Sequence, residues 1–169
     1  MVVLETSKGR IVLETDPENA PVTTENFEAY VRDGFYDGLI FHRVISNFMI
    51  QTGGFGPDME PRKPGAPIQN EADNGLSNKR STIAMARTMS PHTASSQFFI
   101  NVNDNGFLDH TAKTQDGWGY CVFGHVIEGM DVVDTIRETP TTARAGHRDV
   151  PVEDIVIHEA RIVDNRDDS

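Results

Sequence analysis

The 169-residue chain reads as mainly β, an antiparallel sheet or closed barrel of about eight short strands with two helices at its ends. Short runs rich in β-branched and aromatic residues recur along its length, and only two segments carry a helical period. Strands and helices do not alternate in the βαβ rhythm of a parallel sheet. The length suits one domain spanning residues 1–169, with no repeat and no linker.

Taken in order, VVLETSKGRIVLET gives two strands joined by a turn at Ser7-Lys8-Gly9. A helix opens at Pro21, carries Phe27, Tyr30 and Val31 on one face, and ends near Gly34. FHRVISNFMIQTGG, from Phe41 to Gly54, predicts two strands around Ser46-Asn47. From Phe55 to Asn78 four prolines and several glycines break every period, which predicts a long surface loop at a functional rim. RSTIAMAR is a strand, TMSPHTASS a second loop, and QFFINV and GYCVFGHV are buried strands. GMDVVDTIRE is a short amphipathic helix stopped before Pro140, and DIVIHEARIVD closes the chain as a strand.

A net charge of −11 argues against a nucleic-acid partner, whose phosphates demand a basic surface. The lone cysteine, Cys121, permits neither an internal disulfide nor a cysteine zinc site. The N-terminus lacks a signal-peptide pattern, and no apolar run reaches the roughly 18–20 residues that span a bilayer. A cytoplasmic monomer, with no membrane partner, is expected.

The motifs of common chemistries fail on inspection. GGFGP is not followed by the lysine and hydroxyl of a phosphate loop. HEARI begins like a zinc helix but has Ile162 where the second histidine belongs. NVNDNGFLDHTA resembles a calcium loop, yet Ala112 occupies the position of the bidentate glutamate. No serine elbow is present, and the six histidines form no ligand pair. No metal or cofactor is expected.

What remains is one arginine, Arg43, in an apolar strand, accompanied by aromatic, methionine and neutral polar residues near the loops. These candidates are Phe48, Met49, Gln51, Phe99, Phe107, Leu108 and Tyr120. The segments FHRVISNFMIQTGG, IAMAR, SSQFFINV and GYCVFGHVIEGMDVVDTI together resemble the cyclophilin family of peptidyl-prolyl cis/trans isomerases, closest to its single-domain bacterial type. The resemblance runs from Val2 to Val163. It implies a closed eight-stranded antiparallel β-barrel capped by two α-helices. It also implies an enzyme acting on proline-containing peptides and on unfolded or flexible protein segments, assisting folding.

Carried onto this chain, the resemblance makes Arg43, Phe48 and Gln51 catalytic. It assigns substrate binding to Met49, Ala86, Arg87, Phe99, Phe107, Leu108 and Tyr120. Arg87 stands where the best-known eukaryotic members have Asn, Phe107 where they have Trp, and Tyr120 where they have His; Thr52 replaces the first Gly of Q-G-G. Because Phe107 lacks the indole N–H, cyclosporin binding is expected to be weak. The rival readings are a non-catalytic proline-peptide binding or chaperone-like module, and a lipocalin-like barrel with an empty interior. The first would not need the Arg43–Gln51 pair, and the second conflicts with the large apolar residues Phe41, Phe98 and Phe123.

Overall fold

The computed structural model describes residues 1–163. Asp164, the end of the expected last strand, lies outside them. Eight strands form one sheet: β1 (Val2–Thr6), β2 (Gly9–Thr15), β3 (Phe41–Ile45), β4 (Met49–Thr52), β5 (Thr82–Met85), β6 (Phe98–Asn101), β7 (Val122–Glu128) and, at the chain's end, β10 (Ile157–Ile162). Their order is β10-β1-β2-β7-β5-β6-β4-β3, and every pairing is antiparallel. These are the eight strands read from the sequence.

The closed barrel expected from the resemblance is not what the ladder shows. β3 and β10 remain edges of a curled sheet. Among the described residues the backbones are tied where Gly38–Phe41 passes Ile155–Ile157, through Gly38 N–H to Ile157 O at 2.7 Å, Ile157 N–H to Leu39 O at 2.8 Å and Phe41 N–H to Ile155 O at 2.9 Å. The overlap is too short for a strand ladder.

A further hairpin, β8 (Thr141–Arg144) and β9 (His147–Pro151), was not foreseen. It turns through Ala145 and Gly146, both at positive φ, the backbone that a tight two-residue hairpin requires. Most of its side chains face solvent, so it carries no alternating apolar signal. The Gly146 turn between Thr141-Thr142 and Val150 was the available clue.

Helix α1 (Pro21–Arg32) starts on its proline as expected. Its first N–H groups are satisfied from a distance: Glu71, in the long loop, accepts from Val22 N–H, Thr23 N–H and the Thr23 hydroxyl. At the other end Gly34 takes φ 70°. There Phe35 N–H reaches Tyr30 O and Gly34 N–H reaches Val31 O, a Schellman stop. Helix α2 (Met130–Arg137) buries Val133 and Ile136.

Phe27 of α1 sits among Tyr36, Phe98 and Phe123, with ring centroids 5.1–5.6 Å away. These rings fill the concave side of the sheet where a lipocalin-like barrel would be hollow. The loop from Phe55 to Asn78 is irregular, with two short 3-10 turns. It braces the fold as well as covering it: Tyr30 Oη accepts from Gly65 N–H, and Arg62 donates to the Phe35 and Asp37 carbonyls.

Candidate active site

Strand alternation builds the site. Successive side chains of a strand point to opposite faces. The register therefore aligns two rows across β3, β4, β6 and β5. The inward row is Val44, Ile50, Ile100 and Ile83, all buried in the main core. The outward row is Arg43, Gln51, Phe99 and Ala84, continuing to Val122 on β7. Arg43 is exposed because it belongs to this outer row.

Loops then cover the outer face. Met49, Ala84, Phe99, Leu108 and Val122 form a second buried cluster, with Phe48, Ala86 and Tyr120 packed at its margin. Above it lies a hollow of about 180 Å³ lined by Arg43, Phe48, Met49, Gln51, Ala86, Arg87, Phe99, Leu108 and Tyr120. Nine of the ten residues expected at the site thus meet around one hollow.

The exception is Phe107. It is 76% exposed and stacks on Phe48, with centroids 5.7 Å apart and planes at 27°. Phe107 is a rim residue and does not line the hollow.

Asparagines fix the Phe48 turn. Asn105 Nδ2 donates to both Phe48 O and Asn101 Oδ1 at 2.8 Å, and Asn101 Nδ2 donates to Asn78 Oδ1 and Thr82 Oγ1. The calcium-like NVNDN run is therefore a clamp on the pocket wall. Asp109 holds the next wall by accepting from Ser77 Oγ, Asn78 N–H and Asn78 Nδ2. Burial works against its charge, but those hydrogen bonds prevail and keep its pKa below the usual carboxylate value.

The polar side of the hollow is a short relay. Arg43 Nη1 donates to Gln51 Oε1 at 3.4 Å, and Gln51 Nε2 donates to Gln97 Oε1 at 2.9 Å. Gln97 was missed from the sequence although it opens QFFINV. Its neighbour Gly54 was the clue, since a Cβ there would strike the Gln97 side chain. Thr52, the departure from Q-G-G, stays in β4 and donates from Oγ1 to Ile40 O at 2.8 Å, so the strand keeps its pairing.

On the opposite side Arg87 donates from Nε to Gly119 O and from Nη1 to Thr88 O, each at 2.9 Å. Its guanidinium lies 4.5 Å from the centre of the Tyr120 ring. Tyr120 meets Phe99 edge-on at 5.9 Å. Arg87 and Tyr120 thus support each other at two of the positions where the chain departs from the eukaryotic pattern.

Titration chemistry has no evident seat here. His42, beside Arg43, is 5% exposed. Burial, with the nearby His147 and Arg43 charges, lowers its pKa to about 4, and its Nδ1 has no hydrogen-bond partner. Burial raises the Cys121 thiol to about 11, so it is inert rather than nucleophilic. Among the described residues no three metal-ligating side chains converge, and no helix is long and apolar enough to cross a membrane.

The outer-face hollow, with one arginine above an apolar floor, belongs to a recognisable class. The chain is a member of the cyclophilin-type peptidyl-prolyl cis-trans isomerase family, whose profile matches residues 1–162. It is 63% identical to the peptidyl-prolyl cis-trans isomerase cyp18 of Streptomyces antibioticus, over 96% of this chain and 98% of that one. It is 52% identical to peptidyl-prolyl cis-trans isomerase B of Escherichia coli K12, over 96% and 99%. Among solved structures it resembles a cyclophilin type peptidyl-prolyl cis-trans isomerase of Cryptosporidium parvum, crystallised in the presence of the dipeptide Ala-Pro. That likeness has a TM-score of 0.80 at 28% identity and covers 97% of this chain and 99% of the other.

Proposed function

We infer that this protein is a peptidyl-prolyl cis/trans isomerase that turns X-Pro bonds in peptides and flexible protein segments. The observation that carries the reading is Arg43 and Gln51 at the edge of a hollow floored by Phe99, Met49 and Leu108. Cytoplasmic protein folding is the setting we assign to it.

Rotation about the X-Pro bond breaks amide resonance against a barrier of roughly 18–20 kcal/mol. No covalent bond forms or breaks, so no nucleophile, metal or general base is needed. In the twisted state the proline nitrogen becomes pyramidal and regains a lone pair. A donor aimed at that nitrogen stabilises the transition state and finds no such lone pair in the planar amide.

Arg43 fills this role, because its guanidinium stays protonated and offers a rigid fork. Phe48, Met49, Phe99 and Leu108 hold the pyrrolidine ring, while Gln51 and the Ala86–Arg87 backbone hold the flanking peptide. The chemistry is positioning plus one charge.

The test is exchange NMR on an Ala-Pro peptide with catalytic amounts of protein. Acceleration of cis/trans exchange at substoichiometric protein is expected. Unchanged exchange at stoichiometric protein, with peptide binding retained, would leave only a proline-binding module.

A further inference from the structure

The charge around the site runs against that of the molecule. The chain carries a net −11, yet no carboxylate lines the proline hollow. None lines the adjoining hollow of about 180 Å³ that runs between Arg87 and Ser95 either. Two carboxylates lie nearby: Asp109 stands behind the wall, held by Ser77 and Asn78, and Asp149 lies beyond Arg43 in a third hollow, together with Arg148.

The arginines differ in the same way. Arg10, Arg32, Arg80, Arg137, Arg144 and Arg161 each hold a carboxylate within 4.0 Å. Arg43, Arg62, Arg87 and Arg148 have no such partner among the described residues, and of these Arg43 and Arg87 line the proline hollow. In a chain with 26 acidic residues against 15 basic ones, both arginines facing the site are left unneutralised.

Arg87 is the better placed of the two to read a substrate side chain. It lines both hollows, is half-buried, and spends two of its five N–H donors on the carbonyls of Gly119 and Thr88. Those carbonyls and the Tyr120 ring fix the plane of the fork without cancelling its charge. A partly desolvated guanidinium with donors to spare is completed by a carboxylate, which it can engage through two parallel hydrogen bonds.

We propose that Arg87 makes the enzyme favour acidic substrates: segments with Glu or Asp within two residues of the proline, on the side crossing the hollow between Arg87 and Ser95. The inference rests on the isomerase reading above and adds a substrate class to it. The molecule's overall negative charge opposes such peptides at long range, so the preference arises locally at Arg87.

The experiment compares proline peptides that differ only by Glu or Gln, placed in turn two residues before and two residues after the proline. At one of these positions kcat/KM for the Glu peptide is expected to exceed that for Gln about fivefold, the scale of one partly exposed ion pair. Arg87→Gln brings that ratio to about one, and Arg87→Glu inverts it in favour of a Lys peptide. Arg148→Gln leaves the ratio as in the wild type.

A ratio near one at both positions, or a ratio that survives Arg87→Gln, overturns the proposal while leaving the isomerase reading intact. No acceleration of any peptide overturns both. Should the variants misfold, as judged by Trp118 fluorescence, the wild type still decides. The Arg87 Nε–H resonance shifts with the Glu peptide and not with Gln, or the proposal fails.

Discussion

Arg43→Ala separates the chemistry from the fold. Arg43 is exposed, and its one side-chain hydrogen bond, to Gln51, is long at 3.4 Å. Removing it should move stability by no more than about 0.5 kcal/mol, as for other surface positions. The transition state loses a charge-assisted hydrogen bond worth about 1.5–3 kcal/mol, which is a rate loss of about 10- to 150-fold.

The loss is not total. Turnover near 10³ s⁻¹ corresponds to a barrier of about 13 kcal/mol, roughly 6 kcal/mol below the uncatalysed rotation. One hydrogen bond therefore accounts for half of the effect at most. The remainder comes from the apolar floor and from anchoring the flanking peptide. Exchange NMR gives the rate, peptide titration the affinity, and thermal unfolding checks that the fold is intact. Arg43→Lys keeps the charge without the fork and should fall between the two. Equal exchange rates for wild type and Arg43→Ala would refute the mechanism. So would a fall in affinity as large as the fall in rate, since Arg43 would then be binding the ground state.

Three further outcomes follow from the geometry. Gln97→Ala leaves the Gln51 amide without its acceptor, so exchange should slow several-fold while the Tm changes little; an unchanged rate would remove Gln97 from the site. His42, held neutral to about 4, binds its proton more readily when unfolded, so its contribution to stability is present above the ordinary histidine pKa and declines as pH falls from there towards about 4. Over that window the wild type should lose up to roughly 3 kcal/mol more than His42→Gln in urea unfolding, and parallel curves would contradict the burial argument. Phe107→Trp restores an indole N–H on the exposed rim beside Phe48, so cyclosporin should bind the variant more tightly than the wild type; calorimetry showing equal affinities would count against that explanation of weak binding.

The legible parts of the fold were those with a strong period. The eight strands of the main sheet and both helices carry runs of buried residues, such as Leu4, Ile11, Leu13, Phe98 and Ile100, that alternation makes visible. The β8–β9 hairpin was not legible, because five of its nine residues face solvent and only Val150 and Pro151 at one end are buried, too few to show alternation. Closure of the sheet could not be read either. It depends on how far Gly38–Phe41 overlaps Ile155–Ile157, a register set by contacts more than a hundred residues apart in sequence. At the site, the resemblance carried Arg43, Gln51 and the apolar floor. Gln97 escaped because its role appears only when β4 and β6 pair and bring Gln51 against it.

Arg43 also shows why a site can be written inside a core strand at little cost. Within Phe41–Thr52 alternate residues serve different ends: Val44 and Ile50 face the aromatic core, while Arg43, Met49 and Gln51 face the hollow. A charge at position 44 would be desolvated in the main core that holds Phe27 and Phe98, at a cost of several kcal/mol. At position 43 it stays in water on one side and looks across an apolar floor on the other. The two faces can therefore change independently. Substitutions at Val44 or Ile50 are expected to act on stability, and substitutions at Arg43 or Gln51 on rate. Met49 and Phe99 are the places where the two demands meet, since they are buried by the same loops that carry Phe48, Leu108 and Tyr120. On the proposed reading catalysis belongs to the sheet's second face, and the loops that cover Met49 and Phe99 are what that face asks of the fold.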